Sequence, residues 1–327
     1  MGGRVSSQGA GVGLNERAWA IADRLAAPDA QQRVAVRMLG NGARVIDAGI
    51  AVPGGLGAGL ALAEICMGGL GRVSYGPVTI GGEGWAGIQV WTDHPAISCM
   101  ASQYAGWAIQ VDKYFAMGSG PLRAHARVEK ELFAKLGYAE HAARGVLVLE
   151  TREPPGEAVA GWVAQKAGLE PSQLTFVTAP TASIAGSVQI IARILETGLH
   201  KMDALGFDLK KVVSGIGTAP LPPVAKNDLG AIGRTNDCIL YGGQARYTVD
   251  ADDAELATLV PQIPASASKD YGTPFSEIFK RYDGDFYQID PLLFSPAEVW
   301  LTSVRSGTTH HAGCMNPEVL RASLLTG

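Results

Sequence analysis

The fold class is decided by residues 145–208, which read GVLVLETREPPGEAVAGWVAQKAGLEPSQLTFVTAPTASIAGSVQIIARILETGLHKMDALGFD. The first run, GVLVLETRE, is apolar and predicts a strand. EAVAGWVAQKAGL then predicts a helix and LTFVTAP a second strand. Residues 183–205 predict one long helix, which Gly206 is placed to end. Strands that alternate with helices in this way are typical of a mixed α/β protein.

The region before this stretch continues the alternation. Helical spacing over 14–25 and over 31–39 predicts an α-helical start. Between residues 43 and 91, short Val, Ile and Leu runs alternate with Gly pairs, which predicts a strand, a turn, a helix and two further strands. A change of pattern near residues 150–156 predicts an N-terminal α/β domain over 1–150 and a C-terminal α/β domain over 151–327. This boundary is approximate, and segments of the two domains can interleave.

Composition narrows the functional class. The chain has 327 residues, enough for about two domains, and is 47% hydrophobic and 18% charged. Its net charge of −4, without a long basic run, argues against a nucleic-acid partner. We expect no membrane span, and the N-terminus lacks the apolar core of a signal peptide. The cysteines lack zinc or redox spacing and are expected to be reduced thiols in a cytoplasmic protein; they are Cys66, Cys99, Cys238 and Cys314.

Glycine is unusually abundant, with 42 residues. The clusters GGLGAG (54–59), GSGPLR (118–123) and GIGTAP (215–220) do not fit the G-x-G-x-x-G dinucleotide pattern, and no Gly-Lys pair exists for a P-loop. The sequence also lacks H-E-x-x-H and G-x-S-x-G, the usual metalloprotease and hydrolase motifs. His310 and His311 are adjacent, so their side chains diverge and a metal site there is disfavoured. We therefore expect no metal site of a standard type, and interpret the glycines as turns and close backbone approaches.

The long helix predicted over 183–205 carries polar residues opposite its apolar stripe. They fall within an arc of about 80° and are Gln189, Arg193, Glu196, His200 and Asp203. Arg193 and Glu196 are three residues apart, so their side chains can touch. One interpretation is a solvated face with an ordinary surface ion pair. The other is that the face lines a cleft and the pair is an acid–base couple. Periodicity does not choose between them.

Six segments of the chain resemble one enzyme family. They are QYAGW (103–107), YFAMGSGPLRA (114–124), ARILETGLHKMDALGFD (192–208), NDCILYGG (236–243), SASKDYGTPF (266–275) and DPLLFSPAEV (290–299). Together they resemble methenyl-tetrahydromethanopterin cyclohydrolase, in the family's order and over most of the chain.

The resemblance implies an enzyme that reversibly hydrolyses 5,10-methenyl-tetrahydromethanopterin to the 5-formyl compound. It implies one-carbon metabolism, either formaldehyde oxidation or methanogenesis, with no metal or nucleotide cofactor. The implied architecture is two α/β domains with a large cleft between them, assembled as a homotrimer. The lightly charged composition favours a mesophilic methylotroph over a hyperthermophilic methanogen as the source.

The family's catalytic Arg and Glu match Arg193 and Glu196 within the ARxxETxLHK pattern. The methenyl bridge is already a cationic carbon, so the protein has only to position and deprotonate one water. We expect Glu196 to be the general base and Arg193 to orient it and moderate its basicity.

Further substrate-binding candidates lie in the matching loops: Ser119, Gly120, Asn236, Asp237, Lys269, Asp270 and Tyr271. Backbone amides of the turn at 118–121 could meet the pterin or an anionic tail. Carboxylate and amide side chains suit the amide and amino edge of a pterin. The alternatives are a tight turn, turn-forming Asx residues and surface charge.

Two rival functions stay open. A non-catalytic pterin-binding relative would keep the fold without the reaction, although the intact Arg193 and Glu196 weigh against it. An enzyme acting on tetrahydrofolate would use the same bridge chemistry. The sequence does not separate tetrahydromethanopterin from its dephosphorylated form.

Overall fold

The structure is a computed structural model that describes residues 13–28, 32–284 and 288–325. The interpretation of the N-terminus as lacking a targeting segment falls on residues 1–12, outside the described residues. No helix within the described ranges is long and apolar enough to cross a membrane.

Helices and strands alternate along most of the chain. The α-helices are α1 (Leu14–Ala26), α2 (Leu56–Cys66), α3 (Leu122–Ala126), α4 (Lys130–Leu136), α5 (Glu157–Ala167), α6 (Ile184–Ile191), α7 (Ile194–Ala204), α8 (Asp228–Gly242), α9 (Asp253–Leu259), α10 (Phe275–Arg281) and α11 (Pro317–Leu325). The strands are β1 (Ala35–Met38), β2 (Arg44–Asp47), β3 (Gly71–Ile80), β4 (Glu83–Thr92), β5 (Trp107–Val111), β6 (Tyr114–Ser119), β7 (Gly145–Glu150), β8 (Leu174–Ala179), β9 (Val212–Pro220), β10 (Gln244–Val249), β11 (Glu298–Ser303) and β12 (Thr309–Gly313). A π-helix spans Ala96–Gln103.

The first sheet has the strand order β1-β2-β8-β7-β6-β5. Its centre, β2-β8-β7, is parallel, and the outer pairs are antiparallel. The central strand β7 is buried on both faces: Leu147 and Leu149 pack in the cluster with α5, whereas Val146 and Val148 pack in the cluster with α1 and α2. A strand covered on both faces has a continuous apolar sequence, which explains GVLVLE.

The second sheet has the strand order β12-β11-β10-β9-β4-β3. Only β10 and β11 pair in parallel; the other neighbours are antiparallel. One face packs against α7 and α8 in the largest hydrophobic cluster, through residues such as Tyr247 and Val299. Burial alternates along β10 and β11, as in a sheet with one face exposed.

The fold is therefore mixed α and β, as the alternating pattern predicts. Strands β3 and β4 precede residue 150 but pair in the second sheet, whereas β8 follows residue 150 and pairs in the first. A cut at residue 150 would divide both sheets. The division into domains at that point stays a prediction.

Two local predictions differ from the structure. Residues 35–38 form a strand, because the Asn41-Gly42 turn folds them back onto β2. The long helix predicted over 183–205 is two helices, α6 and α7, separated at residues 192–193. Its end is as predicted: Gly206 adopts a left-handed backbone with φ +84°.

One glycine fixes the first turn of α6. The N–H of Gly186 donates to the Ser183 hydroxyl that caps this helix, at 3.0 Å. A Cβ at residue 186 would lie 2.0 Å from the carbonyl oxygen of Pro180. In α5, by contrast, a Cβ at residue 161 would meet nothing within 4 Å.

We expect Gly186→Ala to lower the free energy of unfolding by roughly 1–3 kcal/mol, because the backbone must shift to relieve the overlap. Gly161→Ala should raise it by up to about 1 kcal/mol through helix propensity. Urea denaturation followed by circular dichroism measures both. Equal stability of the two variants would contradict this account of the α6 start.

Candidate active site

The break between α6 and α7 sets the position of Arg193. This residue is the N-cap of α7, and its backbone carbonyl accepts from the N–H of Thr197 at 2.9 Å. Its side chain therefore leaves the chain at the junction of two helices. It is 9% exposed.

The end of the π-helix meets this break through two reciprocal hydrogen bonds. The Arg193 guanidinium donates from Nη1 to the backbone oxygen of Gln103 at 2.6 Å. The side-chain amide of Gln103 donates back to the carbonyl of Ala192 at 3.0 Å. Each residue thus satisfies a carbonyl that the end of the other helix leaves unpaired. Gln103 Oε1 is buried without a hydrogen-bond partner among the described residues.

Arg193 also gathers two side chains from neighbouring elements. Its Nη2 donates to Ser119 Oγ at 3.2 Å and to Gln189 Oε1 at 3.0 Å. The Cys66 sulfur lies 3.4 Å from Ser119 Oγ. Burial raises the pKa of the Cys66 thiol, and the nearby Arg193 opposes that shift. Of the predicted binding residues, Ser119 therefore contacts Arg193 directly.

Glu196 lies one turn further along α7 and is 5% exposed. Burial raises the pKa of its carboxyl above the ordinary value, and the charges of Arg193, His200 and Arg123 act in the opposite direction. Although both residues are described, no ion pair joins Arg193 to Glu196; the guanidinium bonds to Gln103, Ser119 and Gln189 instead. The ion pair that their spacing allows is therefore absent.

A second buried guanidinium lies on the other side of the π-helix end. Arg123 has no exposed surface; its Nε and Nη2 donate to Glu129 at 3.0 and 2.7 Å, and its Nη1 donates to the carbonyl of Ser102 at 3.1 Å. It lies 5.2 Å from the centre of the Tyr104 ring, which stacks on His200 at 5.4 Å. Sequence reasoning missed Arg123 and Tyr104, although both fall inside the recognised segments.

Both sheets hold the start of α7. Ser119, at the end of β6 in the first sheet, accepts from Arg193. Tyr247, in β10 of the second sheet, donates its hydroxyl to the carbonyl of Leu195 at 2.8 Å. The candidate site thus lies where α7 passes between the two sheets.

The arrangement resolves one alternative left open by periodicity. Gln189, Arg193 and Glu196 are all at least nine-tenths buried, so this is not a solvated face with a surface ion pair. A buried carboxylate with a raised pKa, near positive charges it does not touch, has the properties of a general base. A perturbed ionisable group of this kind favours a functional site.

The turn at 118–121 contributes differently from the expectation. Gly120 has φ +100° and donates its N–H to the carbonyl of Ser102 at 2.8 Å. This amide is therefore committed to the fold and does not point to a free donor for the pterin. The alternative interpretation, a tight turn between elements, fits Gly120 better.

Asn236 and Asp237 lie on α8, and neither makes a hydrogen bond with Arg193 or Glu196. Asn236 donates to the carbonyl of Ile232. Asp237 is fully buried and accepts from the N–H of Phe275 at 2.7 Å and from the hydroxyl of Ser323. Burial raises the pKa of Asp237 to about 7. These bonds tie α8 to α10 and α11.

The loop that contains Lys269, Asp270 and Tyr271 is likewise engaged within the fold. Asp270 accepts from the Tyr282 hydroxyl at 2.9 Å and from the N–H of Asp290 at 3.0 Å. The Tyr271 ring lies 4.9 Å from that of Tyr241. Lys269 is exposed. A role of this loop in binding stays a prediction.

Two cavities lie away from Arg193 and Glu196. One, of about 310 Å³, lies between α8, α10 and α11, and the other, of about 270 Å³, lies beside the C-terminal end of α7. Neither is lined by the two candidate catalytic residues.

The histidine pair and the cysteines offer no metal-binding cluster. His310 and His311 contact different carboxylates, Asp253 at 2.9 Å and Glu298 at 2.8 Å. Within the residues that the structure describes, no group of three or more His, Cys, Asp or Glu side chains could hold a metal ion. All four cysteines are free; Cys314 is exposed and the other three are buried.

Comparison with known proteins finds relatives that match most of this chain. The family model described as Cyclohydrolase (MCH) matches residues 13–324. A protein named methenyltetrahydromethanopterin cyclohydrolase from Methylobacterium organophilum is 45% identical over 95% of this chain and 97% of its own. Proteins of the same name are 48% identical in Methylobacillus flagellatus, over 89% of each chain, and 41% identical in Methanococcoides burtonii, over 95% of this chain and 98% of its own.

Proposed function

We propose that this chain, which belongs to the methenyltetrahydromethanopterin cyclohydrolase family, is a hydrolase. It opens the cyclic amidine of 5,10-methenyl-tetrahydromethanopterin to give the 5-formyl compound. The observation that carries the assignment of residues is the buried carboxylate of Glu196, which lies close to Arg193 and Arg123 without an ion pair. The role in one-carbon metabolism is part of the same proposal.

The reaction starts with a substrate that is already an electrophile. The methenyl carbon carries a delocalised positive charge, so the protein has to position one water and remove its proton. Glu196 takes that proton as the oxygen bonds to the methenyl carbon. One C–N bond then breaks, and the departing ring nitrogen takes a proton as the formyl carbonyl forms.

Arg193 sets the strength of this base through space. A guanidinium that touched Glu196 would stabilise the carboxylate strongly and lower its basicity. Here the guanidinium is held by Gln103, Ser119 and Gln189, and its charge moderates the effect of burial without a direct hydrogen bond. The substrate's positive charge would add to this moderation when bound.

The substrate would bind where both sheets approach α7, and we propose that this region is the cleft of the family fold. Support comes from Ser119 of the first sheet and Tyr247 of the second, which contact neighbouring residues at the start of α7. Tetrahydromethanopterin, its dephosphorylated form and tetrahydrofolate share the methenyl bridge. The rate at which the methenyl absorbance is lost, measured with each of the three compounds, identifies the substrate as the compound that is hydrolysed fastest.

Replacement of Glu196 by Gln should lower kcat by about 10²-fold or more, with KM changed little, because the amide cannot accept the proton of water. The rate of methenyl absorbance loss measures this effect. Glu140→Gln is a matched control, since Glu140 is also buried and its pKa is also raised by burial. It should keep its turnover. Near-normal turnover of Glu196→Gln would overturn the assignment of the base.

The pH profile tests Arg193. Glu196 must be ionised to accept a proton, so hydrolysis should decline as pH falls through the pKa of this carboxyl. Arg193→Gln removes a positive charge that lowers that pKa, so the acid limb of kcat should move to higher pH. Arg193→Lys keeps the charge and should move it less. An acid limb that stays in place in Arg193→Gln would contradict this role.

We also propose a homotrimer, and the exposed face of the second sheet is our candidate for its interface. One cross-strand row on this face joins Trp91, Ile216, Arg246, Trp300 and His311. Trp91 is 43% exposed and Ile216 is 49% exposed. Large apolar side chains next to each other on a sheet face are typical of a surface that a partner covers.

Light scattering should give three times the mass of one chain for the wild-type protein. Trp91→Glu combined with Ile216→Glu should give single chains, because the charges would be buried without partners in the interface. Phe115→Glu is the control, since Phe115 is 54% exposed on the first sheet. A monomeric wild type would exclude the trimer, and a trimeric double variant would exclude this face.

A further inference from the structure

The proposed hydrolysis releases one proton in each turnover. A methenyl cation and one water give a neutral formyl compound, so one positive charge must leave. The oxygen of water stays on the carbon, and one of its two hydrogens ends on the departing nitrogen. The other is released as a proton. Glu196 is only 5% exposed, so the residue that first takes a proton has little direct access to solvent.

His200 lies one helical turn from Glu196 and is nearer to solvent than Glu196 is. It follows Glu196 by four residues within the uninterrupted helix α7, which places both side chains on one face, with Cβ atoms about 5–6 Å apart. His200 is partly exposed, whereas Glu196 is buried. The helix face thus runs from a buried carboxylate to a solvent-accessible imidazole within one turn.

The imidazole of His200 packs against an aromatic ring. It stacks on the ring of Tyr104 with centres 5.4 Å apart and planes inclined by 22°. Tyr104 in turn lies 5.2 Å from the guanidinium of Arg123, which has no exposed surface and is anchored to Glu129. The stacking on Tyr104 therefore limits the orientations that the imidazole of His200 can adopt.

The other ionisable groups near this face are poorly suited to carry a proton. Burial raises the pKa of the Cys99 thiol on the π-helix and of the Tyr247 phenol on β10 well above their ordinary values, so both stay protonated. An arginine guanidinium is not deprotonated in proteins, so arginine does not relay protons. Asp203, further along α7, is paired with Lys135 of α4 at 3.2 Å. Among these types of group, imidazole is the one that both gains and loses a proton near neutral pH.

Given the hydrolysis proposed above, on which this step rests, we propose that His200 is the proton relay of the site: it accepts the surplus proton from Glu196 and passes it to solvent, with Tyr104 holding the imidazole in place. His200 does not touch the reacting atoms; it acts through Glu196. In the reverse direction it would supply the proton that formyl activation consumes.

The test replaces the imidazole and keeps a ring against Tyr104. In weakly buffered solution, His200→Phe should lower kcat by about 10-fold or more, with KM changed less than about twofold, because regeneration of Glu196 becomes slow. Added imidazole should restore kcat in proportion to its concentration, after subtraction of the enzyme-free rate. The wild type should not respond. His141→Phe, at an exposed position, is the control and should keep full activity.

Two results would overturn the relay: full activity of His200→Phe without added buffer, or a loss that imidazole does not restore, which indicates a structural role. If His200→Phe does not fold, His200→Gln is measured in the same way. Failure of the proposed function is distinguishable, since it would appear as no catalysis by the wild type or as an active Glu196→Gln. An active wild type, an inactive Glu196→Gln and a fully active His200→Phe would refute the relay alone.

Discussion

The candidate site depends on one pair of hydrogen bonds, in which Gln103 and the Ala192–Arg193 junction satisfy each other's backbone carbonyls. A helix end leaves carbonyls without partners, and burial makes each such group costly. Two helix ends meet here in the interior, where water is scarce. The side-chain amide of Gln103 donates to the carbonyl of Ala192, and the guanidinium of Arg193 donates to the carbonyl of Gln103. This requirement ties the position of Arg193 to the integrity of the π-helix.

The same requirement explains the isolation of Glu196. The guanidinium of Arg193 bonds to the Gln103 carbonyl, Ser119 and Gln189, and Arg123 is anchored to Glu129 and to carbonyls of the π-helix. Both guanidinium groups are thus hydrogen-bonded to other residues, and their charges act on Glu196 only at a distance. A buried carboxylate without a bonded cation keeps a raised pKa, and the positive charges nearby limit how far it rises.

The sequence predicted the elements whose signals are local. The strand β7 is a continuous apolar run because both of its faces are covered, and Gly206 ends α7 with the positive φ that favours glycine. The break at 192–193 could not be predicted, because the apolar stripe continues through it on residues such as Val188 and Leu195. Local patterns also do not reveal that β4 pairs with β9, more than a hundred residues later, since register between distant strands is set by tertiary packing.

The polar face of the α6–α7 segment illustrates why the site was harder to predict than the fold. Amphipathicity separates polar from apolar residues, but it does not tell whether water or a second layer covers the polar side. Here the π-helix and the end of β6 cover it, so Gln189, Arg193 and Glu196 are buried. The feature that distinguishes an active-site face from a solvated one is thus the second layer. That layer is contributed by residues 103 and 119, more than seventy positions away, and by the need to satisfy their backbone groups. A polar helix face predicted from sequence becomes a candidate site only when a distant segment supplies partners of this kind.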